Sequence, residues 1–261
     1  HCISSAASDV YKRQGVIGVG PKGVGGWIAK AQTNMKDINL GSGRFIRLKN
    51  RFICDENLSD QLVTDTIKSL VGDGAQVIVA SESYGVDDME NETGICKIAK
   101  DMGLEATAAS EITKLYGLTR RTRTAAINAS ILPKMLNTAN STEQSVKSAG
   151  VEVPLMIMRG DGGVMEISEM KKRPVLTMLS GPAASVMGSL MYLRASNGVY
   201  FEVGGTTTNI GVIKDGRPAI DYSNVGGHRT YISSLDVRVL GVAGGSMAVS
   251  YTHLRAPETS A

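Results

Sequence analysis

The sequence predicts an α/β fold. Helix-like and strand-like periods alternate from residue 57 to about residue 158. The apolar run 75–80 is short and sits between two amphipathic helical patterns, as a buried strand does. Beyond residue 199 hairpin signals take over, so the sheet content becomes mixed.

Taken in order, residues 15–50 show little periodicity, although 44–54 alternates like a strand. Residues 18–23 match Gly-x-Gly-x-x-Gly by spacing. Pro21 lies inside the match and no strand-to-helix alternation is legible around it, so it reads as a coincidence. Leu58, Leu62, Ile67 and Leu70 share a helical face that Gly72 closes. Ile95, Ile98, Ala99 and Met102 mark a second helix, ended by Gly103 and followed by a strand over 104–109. A long helix is expected over 119–149, kinked at Pro133, and another strand over 154–158. Ser180 and Pro182 predict the start of a helix over 182–195, with Ser180 as its cap. Asp215-Gly216 is a turn signal.

Composition excludes several classes. Lys and Arg total 28 against 25 Asp and Glu, a formal charge of +3. That balance argues against a nucleic-acid or membrane-surface role. Arg120, Arg121 and Arg123 form the longest basic cluster and read as a solvated helix face. Cys54 and Cys96 suggest neither a disulfide framework nor a zinc site, which fits a reducing cytoplasm. No apolar run approaches the ~20 residues that span a bilayer. The methionines read as core filler.

The most informative segment is 199–213. Two apolar runs flank Gly204-Gly205-Thr206-Thr207-Thr208, the pattern of a hairpin with a polar turn. Glycines let a bulky anion approach backbone N–H groups, and the threonines add hydroxyl donors. Glu202 and Asn209 flank the turn with oxygens suited to Mg²⁺. The start of the 182–195 helix, at Ser180-Gly181, could hold an anion, as could a backbone nest at Gly244-Gly245-Ser246. Asp236 lies in an apolar run, where a carboxylate needs a partner or a cation; the loop residue His228 is the weaker candidate.

The turn resembles the Asp-x-Gly-Gly-Thr-x-Thr-Asp phosphate signature of the actin/Hsp70/sugar-kinase superfamily. Ser180-Gly181-Pro182-Ala183 upstream and Gly241-Val242-Ala243-Gly244-Gly245-Ser246 downstream narrow the resemblance to the hydantoinase A/5-oxoprolinase family, which includes acetone-carboxylase-type subunits. Ser110-Glu111, Arg121-Thr122, Asn128-Ala129 and 156–163 extend it upstream. The resemblance implies an actin-like ATPase (ribonuclease H-like) fold, truncated at both ends. It also implies ATP and Mg²⁺ as cofactors and phosphorylation of a cyclic amide or ketone carbonyl ahead of ring opening or carboxylation. A hydantoinase B-like subunit is the implied partner. Under it, residues 204–208 cradle phosphate, with Ser180, Gly181, Gly244, Gly245 and Ser246 as further nucleotide contacts. Glu202, Asn209 and Asp236 hold the metal directly or through water, and Asp236 and His228 are catalytic candidates. Two departures stand out: the family has Asp at the positions of Glu202 and Asn209. The alternative from another class is an ATP-binding regulator or reactivase without substrate chemistry.

The two ends resemble translated sequencing adapters. Residues 4–14, Ser-Ser-Ala-Ala-Ser-Asp-Val-Tyr-Lys-Arg-Gln, read as one transposase adapter in frame, and 249–256 as the reverse complement of its partner, with Pro257 departing from the match. The expected organisation is a tail at 1–14, an N-terminal-type α/β region at 15–165, a hydantoinase A-type ATPase region at 166–248, and a tail at 249–261. The tails are expected to pack against nothing.

Overall fold

A computed structural model describes residues 13–41, 44–194 and 196–247. Its first half is a three-layer sandwich. Strand β1 (Gln14–Gly20) leads into helix α1 (Gly23–Thr33). A small hairpin, β2 (Ile38–Gly41) and β3 (Arg44–Ile46), precedes β4 (Leu48–Cys54). Helix α2 (Asp60–Gly72), β5 (Val77–Glu82), α3 (Glu90–Asp101) and β6 (Glu105–Ala108) then alternate as expected. The four longer-range strands pair in parallel in the order β4-β1-β5-β6. Ser59 Oγ accepts from the Leu62 N–H and caps α2.

Both faces of this sheet are covered, which is why β1 and β5 read as continuous apolar runs rather than alternating ones. Ile17, Val19, Ile78 and Ala80 pack with α2 and α3 on one face. Val16, Val77 and Val79 pack on the other with Ala125, Ala126 and Ala129 of α5 (Leu118–Ser148), which follows the single turn α4 (Ala109–Ile112).

Three expectations are corrected here. The Gly-x-Gly-x-x-Gly run does lie at a strand-to-helix junction. Its glycines serve close packing: a Cβ on Gly18 would sit 2.2 Å from Thr33 Oγ1, and one on Gly20 would sit 2.8 Å from Ala29 Cβ. Helix α1 left little apolar signal because it buries small residues, Gly26 and Ala29, and leaves Trp27 exposed. The Arg cluster is not solvated. Arg121 is 1% exposed, and the Arg120 guanidinium lies 4.6 Å and 4.1 Å from the ring centroids of Tyr222 and Tyr231. The boundary of the N-terminal tail also moves: Gln14 is fully buried and opens β1, opposite Leu48 and Val77. Residues 1–12 and 248–261 lie outside the described residues, and with them the rest of both tails.

Helix α5 runs through Pro133 as one element. A short hairpin, β7 (Met156–Met158) with β8 (Val164–Glu166), and α6 (Ile167–Lys172) bring the chain to a 3-10 turn, Pro174–Thr177, and helix α7 (Ser180–Leu193). The expected boundary at 165/166 falls inside β8, and one apolar cluster joins Val16 and Val77 to Ile167, Val175 and Ile232 across it. Ser180 is the first helical residue rather than the cap; Leu179 precedes it in the left-handed region and no side chain caps the helix.

The last part is antiparallel. Strand β9 (Gly198–Val203) pairs with β10 (Thr208–Lys214), which also pairs with β11 (Arg217–Pro218) and β14 (Val237–Leu240). Strands β12 (Ile220–Val225) and β13 (His228–Leu235) form a separate hairpin against α5. Its two-residue turn uses Gly226 and Gly227 at φ 58° and 79°, as a type I′ turn requires. Among the described residues, no helix is long and apolar enough to cross a membrane.

A buried acid gives the first prediction. Burial raises the Glu82 carboxyl above the ordinary glutamate value of 4.5, against the lowering effect of the Asn91 amide that donates to it at 2.8 Å. Between those two values the folded state holds the extra proton, so the wild type loses stability as pH rises through that window. Glu82→Gln keeps an acceptor for Asn91 and removes the ionisation. Urea midpoints of the two proteins should differ little at pH 4, and the variant should gain steadily on the wild type as pH rises.

Candidate active site: two paired glycine loops

The hairpin expected over 199–213 forms, with Val203 opposite Thr208 and a turn at 204–207. The downstream Gly-rich loop folds against it. Gly244 N–H donates to Gly204 O at 3.0 Å and Gly245 N–H to Gly205 O at 2.8 Å. Thr208 Oγ1 donates to Val242 O at 2.6 Å. Ser246 closes its own loop: its Oγ accepts from Ala243 N–H at 2.9 Å and its N–H donates to Ala243 O. Two segments some forty residues apart are thus laid edge to edge by β10–β14 pairing.

This pairing polarises the turn. The carbonyls of Gly204 and Gly205 are taken by the second loop, and that of Thr207 accepts from Gly204 N–H at 2.9 Å. Among the described residues, no hydrogen bond uses the N–H groups of Gly205 and Thr206. With three of its four carbonyls engaged and the Gly205 and Thr206 N–H groups open, the tip presents donors, the arrangement that binds anions. A Cβ on Gly205 would meet nothing within 4 Å, so the space in front of the turn is free. Phosphate oxygens fit this donor set.

Below the turn, Glu202 and Asn209 face each other across β9 and β10. The Glu202 carboxylate accepts from Asn209 Nδ2 at 3.0 Å, from Tyr200 OH at 3.1 Å and from Ser185 Oγ at 3.1 Å. These bonds, the Asn209 amide foremost, hold its pKa below the ordinary carboxylate range. The three protein donors occupy the positions a cation would take. Among the described residues no three His, Cys, Asp or Glu side chains gather for a metal. The Glu202–Asn209 pair thus commits its carboxylate to protein donors, while Asn209 Oδ1 is buried without a partner among the described residues. The pair also accounts for the two departures from the signature together: an Asp at 209 would set a second carboxylate about 3 Å from the first, a repulsion the amide converts into a hydrogen bond.

The other candidates are placed as follows. Asp236 is exposed at the one-residue break between β13 and β14, its N–H bonded to Ala219 O, so it is not the buried carboxylate the apolar run suggested. His228 opens β13 at the opposite end, roughly 25 Å from Asp236 at the usual rise per residue, beside the hairpin tip that abuts Asn39 O. The structure does not bring these two together. Ser180 and Gly181 open α7, whose next turn supplies Ser185 to Glu202. Tyr200 and Ser185 were not anticipated. Tyr200 was legible as the same-face neighbour two residues before Glu202, whereas nothing in the sequence singles out Ser185.

Loop pairing predicts an asymmetry between glycines. A Cβ on Gly245 would sit 2.7 Å from Gly205 O, whereas one on Gly205 meets open space. Gly245→Ala should destabilise by about 1–3 kcal/mol, the usual cost of overpacking, and Gly205→Ala by less than about 0.5 kcal/mol. Thermal unfolding of both variants checks this.

Comparisons with known proteins place the chain in a family and a fold. The family model Hydantoinase/oxoprolinase matches residues 121–257, just over half of the chain and past residue 248 into the segment expected to be a tail. Caprolactamase subunit alpha of Pseudomonas jessenii is 27% identical over 132 residues, covering 49% of this chain and 19% of the relative. The acetophenone carboxylase gamma subunit of Aromatoleum aromaticum is 24% identical over 208 residues, covering 73% and 28%. The ATP-dependent caprolactamase structure from Pseudomonas jessenii matches with a TM-score of 0.66 at 18% identity, over 93% of this chain and 38% of that one. A nucleotide-free acetone carboxylase structure matches with a TM-score of 0.68 at 17% identity, over 89% and 37%. The chain thus spans about a fifth to two-fifths of the proteins it matches. The shared architecture is the actin-like ATPase fold, and the chain belongs to the hydantoinase/oxoprolinase family.

Proposed function

We propose that this chain contributes the phosphate-binding hairpin of an ATP-dependent enzyme that activates a carbonyl group, in a cyclic amide or a ketone, by phosphorylating its oxygen. The observation that carries the reading is the turn at 204–207, where Gly244 and Gly245 hold the Gly204 and Gly205 carbonyls and the Gly205 and Thr206 N–H groups are left open. Relatives named as an ATP-dependent caprolactamase and an ATP-dependent acetone carboxylase support it. The chemical logic is that an amide or enolate oxygen leaves poorly until it carries phosphate. Transfer of the γ-phosphoryl group forms the new O–P bond and releases ADP. Water or a carboxyl donor then completes ring opening or carboxylation, and phosphate departs.

In this reading, the Gly205 and Thr206 N–H groups and the Thr206 hydroxyl hold the γ-phosphate, and Ser246 borders the site. Such catalysis rests on positioning and charge neutralisation. Glu202 acts indirectly, fixing Asn209 and hence the base of β10, and Mg²⁺ arrives with the nucleotide. The parts of the relatives that this chain does not span supply the remainder of the catalytic apparatus, so the chain alone should not open rings. A hydantoinase B-like second subunit is the proposed partner, in keeping with relatives named as subunits. ATP use and the free Cys54 and Cys96 suit a cytoplasmic setting.

Gly205→Val tests the reading, because the space that the valine fills is the proposed phosphate position. Binding of a fluorescent Mg-ATP analogue should weaken at least tenfold while the melting temperature stays within about 2 °C of wild type. Unchanged binding by Gly205→Val would show that the turn is only a turn.

A further inference from the structure

We infer that the outer side of α1, with the turn 83–87 and the segment 113–117 beside it, is a docking surface for a partner polypeptide that presents an apolar anchor flanked by lysine or arginine. The side chains here are apolar and aromatic although they face solvent: Val24, Trp27, Tyr84 and Tyr116 are 77%, 73%, 72% and 61% exposed. Val24, Trp27 and Ile28 stand at i, i+3 and i+4 of α1 and so share one side of it. Ile28, Tyr84 and Tyr116 line one concavity of about 360 Å³ together with Ala29 and Leu118, which makes the patch continuous across three elements. Exposed aromatics around an apolar concavity are the composition of interface anchor sites.

The backbone that carries the two tyrosines is held in place. Tyr84 sits in the left-handed region at φ 61°, an uncommon conformation for a bulky residue, in a turn closed by Gly85 N–H to Glu82 O at 3.2 Å and Asp87 N–H to Tyr84 O at 2.8 Å. Tyr116 is tied at both ends. Its hydroxyl donates to Asp87 Oδ1 at 2.5 Å, and its carbonyl accepts from Tyr231 OH at 2.5 Å. A surface fixed before binding loses little entropy when a partner docks.

The kind of partner follows from charge. Asp87 lies against both tyrosines, and Asp88, which accepts from Glu90 N–H at 2.9 Å, continues the same acidic edge. Lys114 stands against these three carboxylates, its Nζ 2.8 Å from Met89 Sδ. Lys22, at the start of α1, is paired with Glu56, and Arg121 in the cavity wall is offset by Glu92 and Glu82. The rim is therefore acidic. It repels nucleic acid and anionic lipid and attracts a polypeptide whose anchor is bordered by lysine or arginine.

Trp27 is the only tryptophan in the sequence, so its fluorescence reports on this face. The probe is a tryptophan-free peptide with a Leu-Phe-Leu centre and two arginines at each end, offered to the whole 261-residue chain. One control peptide replaces the arginines by glutamates, and the other keeps them and replaces the centre by Gly-Ser-Gly. Submillimolar probe should shift the Trp27 emission to the blue, and either control should need at least tenfold more. Asp87→Asn combined with Asp88→Asn keeps the hydrogen-bond acceptors, removes two charges and should weaken the probe at least threefold. Val24→Ser, at a solvent-facing helix position, should also weaken it at least threefold; if one variant fails to fold, the other decides. No blue shift, an equal response to either control, or wild-type affinity in a folded variant would overturn the proposal. So would a blue shift produced by phosphatidylserine vesicles, or by raising the concentration of the chain itself, since the occupant would then be a membrane or a second copy.

Discussion

Asn128 is the point through which the two halves of this structure are joined. It is fully buried near the middle of α5, and all its polar atoms are committed: Nδ2 donates to Thr107 Oγ1 on β6 at 2.8 Å and to Lys172 O at 3.1 Å, and Oδ1 accepts from Val175 N–H at 3.1 Å. One side chain thereby pins the edge of the parallel sheet, the end of α6 and the turn that leads into α7. A buried amide tolerates no partial satisfaction, so these three elements have one arrangement relative to one another. The rest of α5 follows the same logic. Ala125, Ala126 and Ala129 let it lie close on the sheet, while Arg120 and Thr124 hold β13 through Thr230 O and the Tyr231 N–H.

That arrangement positions the candidate site. Helix α7 follows directly from the turn fixed by Asn128, and Ser185 on α7 meets Glu202 on β9. Glu202 holds Asn209 on β10, and β10 aligns β14, whose continuation carries Gly244 and Gly245 onto the 204–205 carbonyls. The turn is therefore the end of a chain of hydrogen bonds that starts in the core. Its donor character comes from backbone geometry and not from any charged side chain.

Much of this was legible in the sequence, for reasons that differ by element. Helices α2 and α3 and strand β5 carry strong periodicity and clear glycine stops, so their positions were readable to within a few residues. The β9–β10 hairpin was readable because two apolar runs flank a Gly-Gly pair. Helix α1 was not, because it packs through Gly26 and Ala29 and leaves no apolar stripe. Arg121 and Asp236 were misread in opposite directions for one reason: linear context does not report burial. The arginine in a charged run is inside, and the aspartate in an apolar run is outside. The contact between the two glycine loops was not legible, since pairing between segments forty residues apart depends on β10 and β14 being neighbours.

The central claim is that the paired loops leave the 205–206 amides facing an anion. Amide-resolved NMR of the chain, titrated with Mg-ATP and separately with adenosine, tests it most directly. The account predicts that the Gly205 and Thr206 amide signals shift with Mg-ATP, move little with adenosine, and shift first among all amides of the antiparallel sheet. Equal shifts with adenosine, or an unmoved turn at saturating Mg-ATP, would contradict it.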